Sequence, residues 1–300
     1  MTRAHDAPDA PTLQTLQTLQ TPKTEAMFAD LHLHTHHSDG IRSPEEVVRR
    51  AAEAGLSVIA ISDHDNLAAF AEAEPAAKTA GVTLLPGVEL SITWEGIDVH
   101  VLAYAFDPDD AALAAKLRAC RETREQRGER MVENLRALGH PITVERVREI
   151  CGEGAMGRPH IARALVETGH VGSVQEAFDR FLCPGGAAWV EKERIELDEA
   201  VALVRDAGGV TSIAHPSHYP RADFVVETLL ARGVDAVEVL HPAIPPADAA
   251  RFEAIAARAG KMTTGGSDDH GFDARCSLGS VRVPVARVQP IVDRWLRRAR

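Results

Sequence analysis

Cysteine is scarce in this chain of 300 residues: Cys120, Cys151, Cys183 and Cys276 are the only four, and no two form a C-x-x-C pair. That spacing excludes a zinc ribbon and a disulfide-stapled scaffold, and makes reduced thiols in a cytoplasmic protein the expectation. Long apolar runs are missing as well. Nothing approaches the roughly eighteen consecutive apolar residues of a membrane-spanning helix, and Arg3 is followed by no apolar segment of the kind a secretion signal carries. Basic residues number 33 against 44 acidic ones, for a formal charge of −11, which argues against a broad cationic face gripping long duplex DNA. Nucleotides and short single strands stay open as partners, because a bound cation supplies positive charge locally. Nothing in the sequence sets the oligomeric state.

What is present is enough apolar residue, 45%, to bury a substantial core. Residues 1–26, with three TLQ triplets amid Pro, Asp and Thr, lack a core face and read as a disordered leader. From Pro44 the pattern alternates. SPEEVVRRAAEAG reads as a helix capped by Ser43 and ended by Gly55, LSVIAIS as a buried strand, residues 66–80 as a helix, and VTLLPGVEL and DVHVLAYAF as strands. Such alternation predicts parallel strands with right-handed crossovers. Residues 109–183 break the rhythm with consecutive helices and no convincing strand, and LDEAVALVRDAGG followed by VTSIAH resumes it. The expected organisation is therefore an α/β barrel from residues 27–106 and 187–300, with an all-helical insert over 107–186 covering the active site.

The run FADLHLHTHHSDG at 28–40 sets His32, His34, His36, His37 and Asp39 between a strand signal and a glycine turn. The His-x-His spacing sends His32 and His34 to one face of a strand, where a single transition-metal ion can reach both. Further potential ligands follow or close other apolar runs: Asp63, His64 and Asp65 in SDHD, Glu89 in PGVE, His100 in DVHVLAY, His215 in IAHP, and Asp268, Asp269 and His270 in GGSDDH. In an α/β barrel the strand C-termini converge on one mouth, so residues far apart in sequence can share a site there.

This ordered series of HxH, Asp, SDHD, Glu, His, AHP and SDDH resembles the PHP (polymerase and histidinol phosphatase) superfamily of metal-dependent phosphoesterases, over roughly residues 28 to 285. GRPHIA, with Arg158 and His160, is similar to the branch that includes ribonuclease AM and the 3′,5′-nucleotide bisphosphate phosphatases. The resemblance implies a distorted (β/α)7 TIM-like barrel and nine metal ligands. His32, His34, Glu89 and Asp268 would hold one ion; Asp39, His64 and His270 a second; and Glu89 would bridge to a third held by His100 and His215. Three divalent ions against three carboxylates leave about three positive charges, suited to a hydroxide and a phosphate dianion. Manganese is the expected metal, with iron or zinc as alternatives. His36 and His37 have no place in this scheme and read as surface groups or groups beside the ligands.

The reaction so implied is phosphoester hydrolysis by a metal-bound hydroxide, acting on 3′,5′-bisphosphonucleotides, on the 5′ end of short RNA, or on both. Two other readings are a histidinol-phosphate phosphatase, which shares the metal set, and a noncatalytic metal-binding or polymerase-associated module. Asp65 and Asp269 lie beside ligands, where they orient them or shuttle a proton, or else serve as cap and turn residues. Arg158 and His160 open a predicted helix whose free N–H groups favour an anion; they read as a clamp on a second or terminal phosphate, or as an ordinary first-turn residue and a packing histidine. His241, in EVLHP, points at the same mouth and is a candidate substrate-side group. His140 and His218 read as loop residues. Arg118, Arg121, Arg124, Arg127 and Arg130, interleaved with Glu122, Glu125 and Glu129, read mainly as a solvated helix face of i, i+4 pairs, with one or two at the barrel-facing edge guiding substrate.

Overall fold

The computed structural model describes residues 27–152, 154–191 and 195–298; the leader expected over residues 1–26 lies outside them. Strands β1 (Phe28–Leu33), β2 (Val58–Ile61) and β3 (Thr83–Trp94) alternate with helices α1 (Pro44–Glu53) and α2 (Ala68–Ala80), and β3 turns directly into β4 (Ile97–Tyr104). Four helices follow: α3 (Ala111–Ala137), α4 (Val144–Cys151), α5 (Arg158–Glu167) and α6 (Val174–Ala177), the last running into a π-helical turn at Phe178–Leu182. Alternation returns with β5 (Ile195–Glu196), α7 (Leu197–Asp206), β6 (Val210–Ile213), α8 (Ala222–Ala231), β7 (Ala236–Leu240), α9 (Pro246–Arg258) and β8 (Met262–Gly265). A short β9 (Val283–Pro284) leads into α10 (Val285–Arg298).

The helices begin where side chains satisfy otherwise orphaned N–H groups. Ser43 accepts from Glu46 N–H at 3.2 Å at the start of α1, Asp110 from Leu113 N–H at 2.8 Å at α3, and Thr143 from Arg146 N–H at 3.1 Å at α4. No helix among the described residues is long and apolar enough to cross a membrane.

The sheet runs β8–β7–β6–β4–β3–β2–β1–β9, with β5 beside β3. Its two ends meet where Asp268 N–H donates to His32 O at 2.8 Å and His34 N–H to Asp269 O at 3.0 Å, which curls the sheet into a nearly closed barrel. Two strands depart from the parallel order that the helix and strand alternation predicts: the short β9, antiparallel to β1, and β4. β4 is antiparallel to both β3 and β6, because only Glu95 and Gly96 separate it from β3. Both turn residues hold positive φ, 47° and 76°, as a tight hairpin requires, and two residues cannot form a crossover.

Three buried apolar clusters build the barrel and its outer helices. Leu33, Ile59 and Ile61 pack against Val47 and Val48 of α1 and Ala73 and Ala77 of α2. Val288, Ile291 and Val292 of α10 join Leu31, Leu85 and Tyr104. Strands β3 and β4 share a third cluster with α3, α7, α8 and α9, to which α3 contributes Leu113 and Leu117. The helical segment has a core of its own, including Met131, Leu135, Val147, Ile161, Leu165 and Phe181, and this core continues to Ala188. α3 thus has two loyalties: its N-terminal half packs on the barrel and its C-terminal half belongs to the insert.

Candidate metal centre

The side chains converge because of strand geometry. His32 and His34 lie two apart at the end of β1 and share a face. In the β3–β4 hairpin, Ser91 pairs with His100 and Glu89 with Leu102, so Glu89, Ser91 and His100 share one face across the pair. Past β2, Asp65 N–H donates to Glu89 O at 3.0 Å and brings His64 alongside. His215 follows β6, and Asp268 and His270 follow β8. Gly266 allows the last approach, since a Cβ there would sit 2.4 Å from His32 Cβ. His215 and Asp268 hold positive φ, 29° and 56°, a conformation costing on the order of 1–3 kcal/mol in a non-glycine residue and concentrated at functional sites.

All nine expected ligands meet in one cluster, and Glu89 is its centre. Its Oε2 lies 3.2 Å from His32 Nε2 and 3.3 Å from both His34 Nε2 and His64 Nδ1. Its Oε1 lies 2.7 Å from His100 Nδ1 and 3.1 Å from His215 Nε2. Asp268 Oδ1 closes a first set at 3.3 Å from His32 Nε2 and 3.1 Å from His34 Nε2. Asp39 anchors a second set, 3.2 Å from His270 Nε2 and 3.9 Å from His64 Nε2.

The electrostatics favour added cations. Burial would raise the carboxyls of Glu89, Asp39 and Asp268, yet the surrounding imidazoles hold all three well below the usual carboxylate range. Burial pushes His34 down, but Asp268 and Glu89 override it and lift the ring to about 10. The same cost drives His64 down to about 3, against the pull of Glu89 and Asp39. Among the described residues His34 Nε2, His64 Nδ1 and Asp39 Oδ1 are buried yet make no hydrogen bond. Orphaned nitrogens and oxygens grouped within metal-ligand reach fit divalent ions better than they fit one another.

Around this cluster stand groups that the sequence reading missed or misjudged. Glu238, in the middle of β7 and fully buried, lies 3.2 Å from His32 Nδ1 through Oε1 and accepts His215 N–H at 2.7 Å through Oε2. Asp63 accepts from Thr35 N–H, Thr35 Oγ1 and Ser38 Oγ at 2.6–2.7 Å, fixing the loop that carries Asp39. Asp269 pairs with Arg42. Asp65 commits its carboxylate to Ser91 N–H at 3.0 Å and to Arg124 at 2.5 Å. The arginines of α3 therefore correct the solvated-face expectation. Arg121 donates to Asp65 O at 2.9 Å, Arg124 also to Ser91 Oγ at 2.8 Å, and the buried Arg127 to Val190 O at 2.7 Å. Glu125, the expected partner of Arg121, instead accepts Met156 N–H and pairs with Arg148. The helix faces inward along the stretch where i, i+4 spacing suggested solvent.

A cavity of about 170 Å³ opens beside the cluster, lined by Asp39, His64 and His100 and by Arg124, Arg127 and Arg158. Arg158 lies over the rings of Phe178 and Trp189 at 5.5 and 5.4 Å. His160 is buried and accepts Gly157 N–H on Nδ1 at 3.0 Å, which caps α5. His241 accepts Ala243 N–H on Nδ1 and sets Nε2 3.5 Å from Asp268 Oδ2. The tilted rings of His36 and His37 lie 4.5 Å apart, with His37 Nε2 2.8 Å from Glu72, apart from the nine. His218 lies 4.9 Å from the His215 ring, whereas His140 packs inside the insert against Phe181.

Burial pushes His160 down to about 4. Its imidazole should therefore stay neutral through the physiological range, and a histidine-selective NMR titration should place its midpoint near pH 4. A midpoint near 6.5 would show the ring open to water and the cap of α5 misassigned.

A family model described as "PHP domain" matches residues 30–207. A 3′,5′-nucleoside bisphosphate phosphatase of Chromobacterium violaceum is 35% identical over 80% of this chain and 86% of its own length. The 5′-3′ exoribonuclease Rnm of Escherichia coli is 32% identical over 82% of this chain and 86% of its own length. A crystal structure of a putative metal-dependent phosphoesterase from Bifidobacterium adolescentis superposes with a TM-score of 0.82 at 34% identity, covering 90% of this chain and 96% of that one.

Proposed function

The chain belongs to the PHP domain family, and on that premise we propose that it is a cytoplasmic phosphoesterase that removes phosphate from 3′,5′-bisphosphonucleotides and trims short RNA from the 5′ end. One observation carries this reading: the histidine and carboxylate cluster and three arginines line a single cavity, so an anion held by the arginines abuts the cluster. A generic phosphatase needs only the cluster. A substrate with two phosphates uses both halves.

The nine residues would hold three divalent ions, Glu89 being shared by the first and third sets, and their nitrogen and oxygen donors, with no thiolate, suit manganese, with iron and zinc as alternatives. Bound there, such ions acidify water and neutralise charge on phosphate oxygens. The rest is the work of the chain's own side chains. Glu238 fixes the ring of His32, and His241 steadies Asp268, as groups behind metal ligands do. Asp65 positions Arg124 rather than moving a proton, since its carboxylate is already committed. The Nε of Arg124 is buried without a hydrogen-bond partner among the described residues, so this N–H is left for an anion while the far end of the guanidinium stays on Asp65 and Ser91. Arg158 clamps the second phosphate, and His160 supports it by holding the start of α5.

Elemental analysis of the purified protein, followed by a phosphoester panel assayed with that metal, tests the reading. Arg158→Ala should lose about one to two orders of magnitude in kcat/KM on a bisphosphonucleotide, the equivalent of a charge-assisted contact worth roughly 1.5–3 kcal/mol. Nitrophenyl phosphate, with one phosphate, should lose far less. Equal losses on both substrates would make Arg158 a support of the cluster or of the fold.

A further inference from the structure

Phe272 is an exposed aromatic placed where few surface residues are. It follows His270 by two positions, its ring centroid lies 5.6 Å from that of His270, and 58% of it is exposed. Burying it would gain apolar contact, yet the loop holds it outward. Gly271 makes the turn at a φ of 90°, and a Cβ there would stand 2.5 Å from Ile41 Cγ1. Ile41, itself 55% exposed, donates its N–H to His270 O at 3.0 Å, so two exposed apolar side chains are tied by backbone to a residue of the cluster. The insert reaches the same spot. Arg163 of α5 donates to Asp39 O at 3.1 Å and stacks its guanidinium 4.7 Å from the Phe272 ring.

Phe272 does not line the arginine cavity, whereas Asp39 borders the cavity and also meets Arg163 through its carbonyl. A chain whose 5′-phosphate occupies the arginines and whose next phosphodiester sits at the cluster must leave past the cluster's other rim. We propose that Phe272 is the platform on which the base of the second nucleotide, just 3′ of the scissile bond, stacks. An aromatic face accepts any base, so the platform would favour an oligonucleotide over a mononucleotide without selecting sequence. The proposal rests on the nucleotide reading given above.

The test compares two 5′-phosphorylated trinucleotides on manganese-loaded protein, one complete and one with an abasic ribose at the second position, alongside a bisphosphonucleotide. Wild type should prefer the complete trinucleotide by about tenfold in kcat/KM. Phe272→Ala should bring that ratio close to one, and Phe272→Trp should keep it, a pattern that simple damage to the loop would not give. An unchanged ratio in Phe272→Ala, or no preference in wild type, overturns the platform while cleavage of the bisphosphonucleotide upholds the substrate class. A wild type that hydrolyses nitrophenyl phosphate but neither kind of nucleotide overturns both.

Discussion

Alanine in place of Asp268 or His32 is expected to lower kcat by at least about a thousandfold while the barrel stays folded. Each change removes a donor that lies 3.1–3.3 Å from its neighbours in the first set, and the Lewis-acid stabilisation it supports is worth several kcal/mol, of which ~4 kcal/mol alone corresponds to that factor. Neither side chain is a hydrophobic core contact. Asp268 stands at a φ of 56°, so Asp268→Asn is the better-behaved companion variant, because asparagine tolerates that conformation and keeps the shape while losing the charge. Steady-state assays with added metal, elemental analysis and circular dichroism should be read together. Near-native turnover at full metal content in either alanine variant would remove that residue from the centre.

The clustering of the nine residues was legible because most of them fall in short strings at strand ends. HLH on a strand, SDHD after a strand and SDDH after a strand each announce themselves, and the barrel brings them to one mouth. Glu238 did not announce itself. Within AVEVL a glutamate between valines looks like ordinary strand alternation, and only closure of the barrel shows that it faces His32 and not water. Arg121, Arg124 and Arg127 failed for a related reason. A helix with glutamates four residues from arginines satisfies the surface pattern and the buried one equally, and the choice is made by the docking of α3 over Asp65 and Ser91. The reversed β4 was readable in principle from Glu95–Gly96, a two-residue turn signal that the helix and strand rhythm masked. The start of α1 came out as read because Ser43 caps Glu46 N–H, a rule that depends on neighbours three residues away.

Stripping the metal should lower Tm by about 10 °C near neutral pH, and by more as the solution becomes alkaline. One ion at a thousandfold its Kd stabilises the folded state by ~4 kcal/mol, and each kcal/mol shifts Tm of a chain this size by about 2–4 °C. The pH dependence follows from His34. Without metal, burial opposes its charge, but Asp268 and Glu89 raise the ring to about 10, against 6.5 ordinarily. A raised histidine gives stability that is complete below pH 6.5 and is lost as pH climbs through 10, on the order of 4 kcal/mol across that window. His64, pushed down to about 3 by burial, is neutral throughout the window and adds no slope. In the loaded protein a metal takes the place of that proton, so the loss does not occur, and proton release makes binding tighter as pH rises. Melting curves with chelator and with manganese, taken every half unit from pH 6.5 to 9.5, should therefore diverge. Parallel curves would mean that His34 carries no proton in the metal-free protein, burial outweighing the carboxylates beside it.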